Sequence, residues 1–237
     1  MDLFLETLRE ALRLLVSGNA YLRDVVLMSL RVSGAAVLLG VLLGMPVGAA
    51  VALGRFRGRR LAVALIHTGF ALPPVVVGLF VYMLLSRSGP AGALELLFTP
   101  TAMVLAQAVL AMPYVAGITL AAVQAVPPDV RLQAAALGAG PLRALWMHLR
   151  EARLGLGAAV VAGFGAVISE VGAVMLVGGN IVGETRVMTT AIVLETRRGN
   201  FATAMALGLL LLALAFAVNL ALTRAQQGPR ATERIWS

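Results

Sequence analysis

An all-α integral membrane fold follows from three features of this sequence. Sixty per cent of its residues are hydrophobic and only 13% are charged, about half the charge of an average soluble domain. Its mean hydropathy is +0.93. Five apolar segments recur along its 237 residues, each near the roughly 20 residues that cross a hydrocarbon core of about 30 Å. The expected organisation is an amphipathic segment over 1–21, a membrane domain with about five transmembrane helices over 22–223, and a tail over 224–237. That leaves no room for a soluble nucleotide-binding domain beside the spans, so any energy source is a partner or an ion gradient.

The first segment sets Leu3, Leu5, Leu8, Leu12 and Leu15 among Asp2, Glu6, Arg9, Glu10 and Arg13, an apolar stripe at helical spacing. With no positive start, an apolar run interrupted by charge and no cleavage site, it reads as an amphipathic helix lying at the lipid interface rather than a secretory signal.

The spans are expected near 25–53, 61–85, 101–123, 156–177 and 202–223. The first carries Gly40, Gly44 and Gly48, a small-residue face suited to close helix packing, with Pro46 as a kink. The second holds Pro73-Pro74, which must interrupt the helix at mid-membrane. Such a break persists only where protein or a water-lined cavity satisfies the freed backbone groups.

The net charge of +8 comes from arginines scattered in short loops, since the chain has no lysine. They are not interleaved with aromatics, so they read as topology signals and not as a nucleic-acid surface. Arg55, Arg57, Arg59 and Arg60 crowd the first loop and place it in the cytoplasm. Alternation then puts 86–100 and 178–201 outside, the N-terminus outside and the C-terminus inside, as a multi-pass protein of the cell (inner) membrane. The chain has no cysteine and two histidines, His67 and His148, so no metal-ligand cluster or catalytic constellation is visible.

Between the third and fourth spans, residues 126–155 are polar enough to lie in water. Pro127-Pro128-Asp129 is a helix start, and Gly138-Ala139-Gly140-Pro141 ends that helix and begins another. The expected product is a cytoplasmic pair of helices. Gln133-Ala134-Ala135-Ala136-Leu137-Gly138-Ala139, followed by Leu149-Arg150-Glu151-Ala152-Arg153, resembles the EAA loop of ABC importer permeases, of the type I importer fold. In that family the loop docks into an ATPase subunit. The resemblance makes Arg131, Leu132, Gln133, Ala134, Ala135, Ala136, Leu137, Gly138 and Ala139 the ATPase-coupling loop. Leu132 stands where the family carries a Glu and Arg150 where it carries a Pro, so docking is expected to lean on apolar contact.

Glu170 is the one acid deep in an expected span. It must pair, face a cavity or be protonated; a role in the pathway and a structural hydrogen-bonding role both stay open. Beyond it, residues 178–201 read as a short amphipathic element that re-enters the interface. Ser169-Glu170-Val171-Gly172-Ala173, Gly178-Gly179-Asn180-Ile181 and the run from Thr185 through Thr189, Thr190 and Ile192 look like the permease subunits of tungstate ABC importers, with molybdate and sulfate permeases similar but looser.

This resemblance implies a tetrahedral oxyanion as cargo and a pathway or gate at Ser169, Glu170, Gly178, Gly179, Asn180, Thr189 and Thr190. It also implies a permease homodimer in the lipid bilayer, two copies of an ATP-binding cassette ATPase, and an extracytoplasmic oxyanion-binding protein. The chain itself would carry no cofactor, ATP and Mg being used by the ATPase. The residues agree on one point: without lysine, and with no arginine near the middle of an expected span, no buried cation is available to hold a dianion tightly. Arg31 is the nearest candidate, and it can snorkel to the interface.

Two rival classes are a proton-coupled secondary carrier using Glu170 and a membrane enzyme. The first usually shows repeated halves, which this chain lacks. The second needs converging polar groups.

Overall fold

The computed structural model describes residues 2–226. The described residues form eleven α-helices and no strand: α1 (Asp2–Val16), α2 (Ala20–Leu53), α3 (Arg59–Gly69), α4 (Pro74–Leu85), α5 (Pro100–Gln124), α6 (Pro128–Ala136), α7 (Pro141–Glu151), α8 (Arg153–Ile168), α9 (Gly172–Gly178), α10 (Met188–Arg197) and α11 (Phe201–Gln226). The expected tail at 224–237 lies outside the described residues from 227 onward. α4, α5, α6 and α7 each open on a proline, where its missing N–H costs no helical hydrogen bond.

α2, α5 and α11 are each long and apolar enough to cross a membrane, and two bent pairs bring the number of candidate spans to five. α5 is the central helix, packed against α2, α3, α4, α8 and α9. Its contact with α2 explains the glycines of the first span. A Cβ at Gly40 would stand 2.9 Å from Ala111 Cβ, one at Gly44 2.8 Å from the Met112 carbonyl oxygen, and one at Gly48 would strike the Ala116 carbonyl. The two backbones touch, which only glycine allows. The expected kink at Pro46 does not end the helix: α2 runs through it to Leu53.

The break at Pro73-Pro74 is larger than a kink, for α3 and α4 meet at 101°. α5 has the shape to receive it. Gly69 lies on the Pro113 ring and Gly117 on the Phe70 ring, Phe70 stacks on Tyr114 at 5.0 Å, and the Tyr114 hydroxyl donates to the Phe70 carbonyl at 3.1 Å. Protein thus satisfies a backbone group freed by the break.

The expected fourth span, 156–177, is not one helix. α8 ends at Ile168 and α9 starts at Gly172. Ser169 Oγ bonds back to the Gly165 carbonyl at 3.1 Å, while the Glu170 side chain takes the N–H groups of the next turn. Both local bonds compete with a continuous ladder. The segment expected to re-enter the interface contains α10, whose first turn, Met188, Thr189, Thr190 and Ala191, is buried within the protein.

α1 lies along α11. It buries Thr7 and Ala11 and leaves Phe4, Leu5, Leu12 and Val16 exposed, so Leu5 and Leu12 of the expected stripe do not pack on the protein.

Candidate translocation site and coupling surface

The residues expected to form one pathway fall into two clusters, at opposite ends of α9. At its start sits Glu170, which is 7% exposed. Its Oε1 accepts from the Ala173 N–H at 3.0 Å and its Oε2 from the Val174 N–H at 3.2 Å. The carboxylate therefore caps α9, where the helix dipole favours a negative charge. The Glu170 carbonyl accepts from Thr189 Oγ1 at 2.8 Å, which ties the break to α10. Thr190 turns inward on its own helix and bridges the Val187 N–H and carbonyl, a cap. Ser169 is exposed and bonds only back into α8.

Three polar residues that the sequence reading passed over hold this break from the α2–α5 side. Gln107, 2% exposed, donates through Nε2 to the Val167 carbonyl at 2.9 Å and accepts from Ser33 Oγ at 3.2 Å. Ser29, one turn earlier on α2, donates to the Val25 carbonyl and accepts from the Met188 N–H at 2.8 Å. The signal was present in the sequence as polar residues inside apolar spans: in lipid such groups face protein partners, and a broken helix supplies them.

At the other end of α9, Gly178 and Gly179 pack where a side chain has no room. A Cβ at Gly178 would stand 2.8 Å from Met103 Sδ and one at Gly179 2.9 Å from Phe98 Cδ1, and Gly179 has φ +70°. Thr185 Oγ1 donates to the Gly178 carbonyl at 2.5 Å. Asn180, at φ +55°, receives Arg186 through both its side chain and its carbonyl at 3.1 Å. Arg186 is only 8% exposed, whereas the sequence placed it in an external loop. Its guanidinium also reaches Tyr21 Oη at 3.4 Å, and the same hydroxyl donates to Glu195 Oε1 at 3.4 Å. Glu195 is held further by Asn200 at 2.7 Å and Arg198 at 3.6 Å. The buried cation is thus bonded by neutral oxygens, and Glu195 is linked to it only through the Tyr21 hydroxyl. Arg31 is exposed on α2.

The α6–α7 pair forms the third feature. α6 closes at Ala136, Gly138 adopts φ +74°, and α7 starts at Pro141 behind an extended Gly140, the geometry expected from the sequence. Leu132, Gln133, Ala136, Leu137 and Gly138 are exposed. Leu142 and Trp146 on α7 are more than half exposed as well. Together they present a bare apolar surface on α6–α7. Among the expected loop residues, nothing is described for the side chains of Arg131, Ala134 and Ala135, and Ala139 is half-buried. α7 then turns by 65° into α8.

Residues 37–230 match the family model described as "Binding-protein-dependent transport system inner membrane component". The chain belongs to this family. Among similar proteins, a "Probable anion ABC transporter permease protein" of Haloferax volcanii is 48% identical over 204 residues, 84% of this chain and 88% of that protein. The "Tungstate uptake system permease protein TupB" of Peptoclostridium acidaminophilum is 39% identical over 219 residues, 92% of this chain and 96% of its own length. A chain of the MetNI methionine ABC transporter, solved in inward-facing conformations, shares the fold with a TM-score of 0.68 at 18% identity, covering 87% of this chain and 95% of that one.

For such a permease the geometry separates two tasks. The carboxylate of Glu170 and the guanidinium of Arg186 are both engaged inside the fold, while the apolar faces of α6 and α7 are unengaged. These buried polar contacts hold broken helices in place, and the free surface lies on α6–α7.

Proposed function

We propose that this permease conducts a tetrahedral oxyanion, tungstate, into the cytoplasm. In this reading two copies form one pore in the inner membrane, two ATP-binding cassette subunits grip α6–α7, and an extracytoplasmic oxyanion-binding protein delivers the cargo. ATP and Mg belong to the ATPase, and this chain needs no cofactor. The Arg55–Arg60 turn lies inside, the N-terminus outside and the C-terminus inside. The observation that carries the coupling half is the exposed apolar surface of Leu132, Leu137, Leu142 and Trp146 beside the left-handed turn at Gly138. The likeness to the tungstate permease over nearly the whole chain supports the cargo, and the capping of α9 by Glu170 supports a gate held by structure and not by anion affinity. Ser169, Gly178, Gly179, Asn180, Thr189 and Thr190 belong to that gate.

Molybdate and sulfate are the competing cargoes. Reconstitution with the ATPase and binding protein, and uptake measured for the three anions, tests the proposal. ATP-dependent tungstate uptake that exceeds the other two is expected. Uptake without ATPase, driven by a proton gradient, would overturn it in favour of a secondary carrier; against that stands the Glu170 carboxylate, whose two oxygens are already bonded to backbone N–H groups.

A further inference from the structure

The turn between α2 and α3 is where the fold leaves positive charge unanswered. Arg55, Arg57, Arg59 and Arg60 fall within six residues. Among the described residues no acid pairs with any of them, the two ion pairs lying elsewhere at Arg23–Asp24 and Arg198–Glu195. Residues Ala52, Leu53, Gly54, Arg55, Phe56, Arg57 and Arg59 enclose an open concavity of about 690 Å³.

The concavity has a fixed floor. Arg59 donates through Nε to the Val51 carbonyl at 2.9 Å and through Nη2 to the Ala52 carbonyl at 3.5 Å. Its charge is held at the negative end of α2, and among the described residues Nη1 makes no hydrogen bond. Arg55 and Arg57 stand exposed at the rim with the Phe56 ring, 49% exposed, between them. Gly58 enters α3 at φ +91° and offers no side-chain cap, and the Arg59 N–H closes the turn on the Phe56 carbonyl at 3.3 Å.

An apolar track leads away from the charge. Leu61 and Leu65, one turn apart on α3, are 64% and 63% exposed. A soluble anion would use the arginines and ignore this track. A lipid uses both, with its phosphate on the arginines and an acyl chain along the leucines. The position suits a lipid too: α2 is 34 residues long, about 51 Å at 1.5 Å per residue, more than a hydrocarbon core of about 30 Å. The turn at its end therefore sits among headgroups.

We propose that the α2–α3 turn is a binding site for an anionic phospholipid, with Arg55, Arg57 and Arg59 on the headgroup phosphate and Leu61 and Leu65 along the chain. Only the crossing of the bilayer by α2 is required, so the site stands apart from the identity of the cargo. Basic clusters next to spans attract anionic lipid with about a fivefold gain in affinity per arginine.

The test uses the full-length chain in neutral detergent, titrated with phosphatidylglycerol or phosphatidylcholine and read by thermal stability and by native mass spectrometry. Wild type is expected to retain phosphatidylglycerol and gain Tm from it, and to gain little from phosphatidylcholine. Arg55→Gln combined with Arg57→Gln changes only exposed side chains, leaves the Arg59 cap in place, and should weaken phosphatidylglycerol binding about 25-fold. Leu65→Gln should weaken long-chain lipid more than a short-chain analogue with the same headgroup. Equal phosphatidylglycerol binding by wild type and the double variant would overturn the proposal. So would a full Tm gain from inorganic phosphate or tungstate alone, which would mark a free-anion site. Loss of ATPase association in the double variant with lipid binding unchanged would assign the turn to a protein partner instead.

Discussion

His148 Nε2 lies 3.0 Å from the carbonyl oxygen of Val123, and this bond pins α7 to the last turn of the central helix α5. A carbonyl can only accept, so Nε2 is the donor. Nδ1 is one of two buried side-chain atoms, with Thr119 Oγ1, that find no partner among the described residues. The same helix carries Gln107, whose amide holds the Val167 carbonyl beside the break at Glu170. One rigid helix thus touches the surface of α6–α7 at one end and the broken span in its middle.

If that bond steadies the coupling helices, His148→Gln, which can place an amide N–H near the Nε2 position, should keep ATPase stimulation near wild type. His148→Ala should lose the hydrogen bond, about 1 kcal/mol, and open a void beside it. The expected outcome is ATP hydrolysis that persists while transport per ATP falls. Equal behaviour of the two variants would remove the role assigned to the bond.

The α2–α5 seam predicts an unusual sensitivity to one methyl group. Gly48→Ala must push a Cβ into the Ala116 carbonyl, and overpacking of this kind costs about 1–3 kcal/mol. Gly34→Ala, on the same helix with nothing within 4 Å, should be neutral or slightly stabilising. Thermal unfolding in detergent separates them: Gly48→Ala lowers Tm and Gly34→Ala does not.

Much of this architecture was legible in the sequence because it rests on local chemistry. The glycine spacing in α2, the proline starts, the left-handed Gly138 and the break after Ala71-Leu72 are each set by the backbone rules of a few residues. The second break was hidden because no proline marks its site, and Gly172 does not stand out in a span that also holds Gly163 and Gly165. The side chains of Ser169 and Glu170 interrupt the helix by local hydrogen bonds, but the groups that hold the freed carbonyls of Val167 and Glu170, Gln107 and Thr189, lie 60 and 19 residues away along the chain. The burial of Arg186 was hidden for the same reason. Its partner Asn180 lies 6 residues away, but Tyr21 lies 165 away, so a one-dimensional reading sees only a charge in a loop.

Glu170 should behave as a structural acid. Glu170→Ala removes the acceptor of two buried N–H groups, an effect of about 2–4 kcal/mol, and should lower both Tm and uptake. Glu170→Gln keeps one good acceptor and should retain more stability than Ala. A Gln variant with full stability and no uptake would assign the charge to the pathway instead of the fold.

Topology is testable by labelling. Val182 is 64% exposed in the turn after α9, a better probe than Asn180, which Arg186 occupies. A cysteine at Val182 should react with an impermeant thiol reagent added outside intact cells, and one at exposed Gly58 only after permeabilisation. The reverse pattern inverts the proposed orientation.

The last prediction concerns the grip on the ATPase, and it rests on Gly138. Its φ of +74° is paired with open space, since nothing lies within 4 Å of the position a Cβ would take. Glycine is therefore required by backbone conformation and not by packing. Gly138→Val puts a β-branched residue in the left-handed region at a cost of roughly 1 kcal/mol or more, and the turn relaxes by moving α6 relative to α7. Gly138→Asn, which tolerates this region better, is the control. Leu132, Leu137, Leu142 and Trp146 are all bare on this pair of helices, so the contact with the ATPase should be mainly apolar. Burial of apolar surface survives salt that screens exposed ion pairs over about 10 Å at 0.1 M. Co-purification of ATPase with wild-type permease should thus change little between low and moderate salt. Gly138→Val should lose stimulation of ATP hydrolysis while the membrane domain keeps its Tm, and Gly138→Asn should retain most of it. Dissociation of the wild type by moderate salt would show that charge, from arginines such as Arg143 and Arg150, holds the partner in place of the leucines.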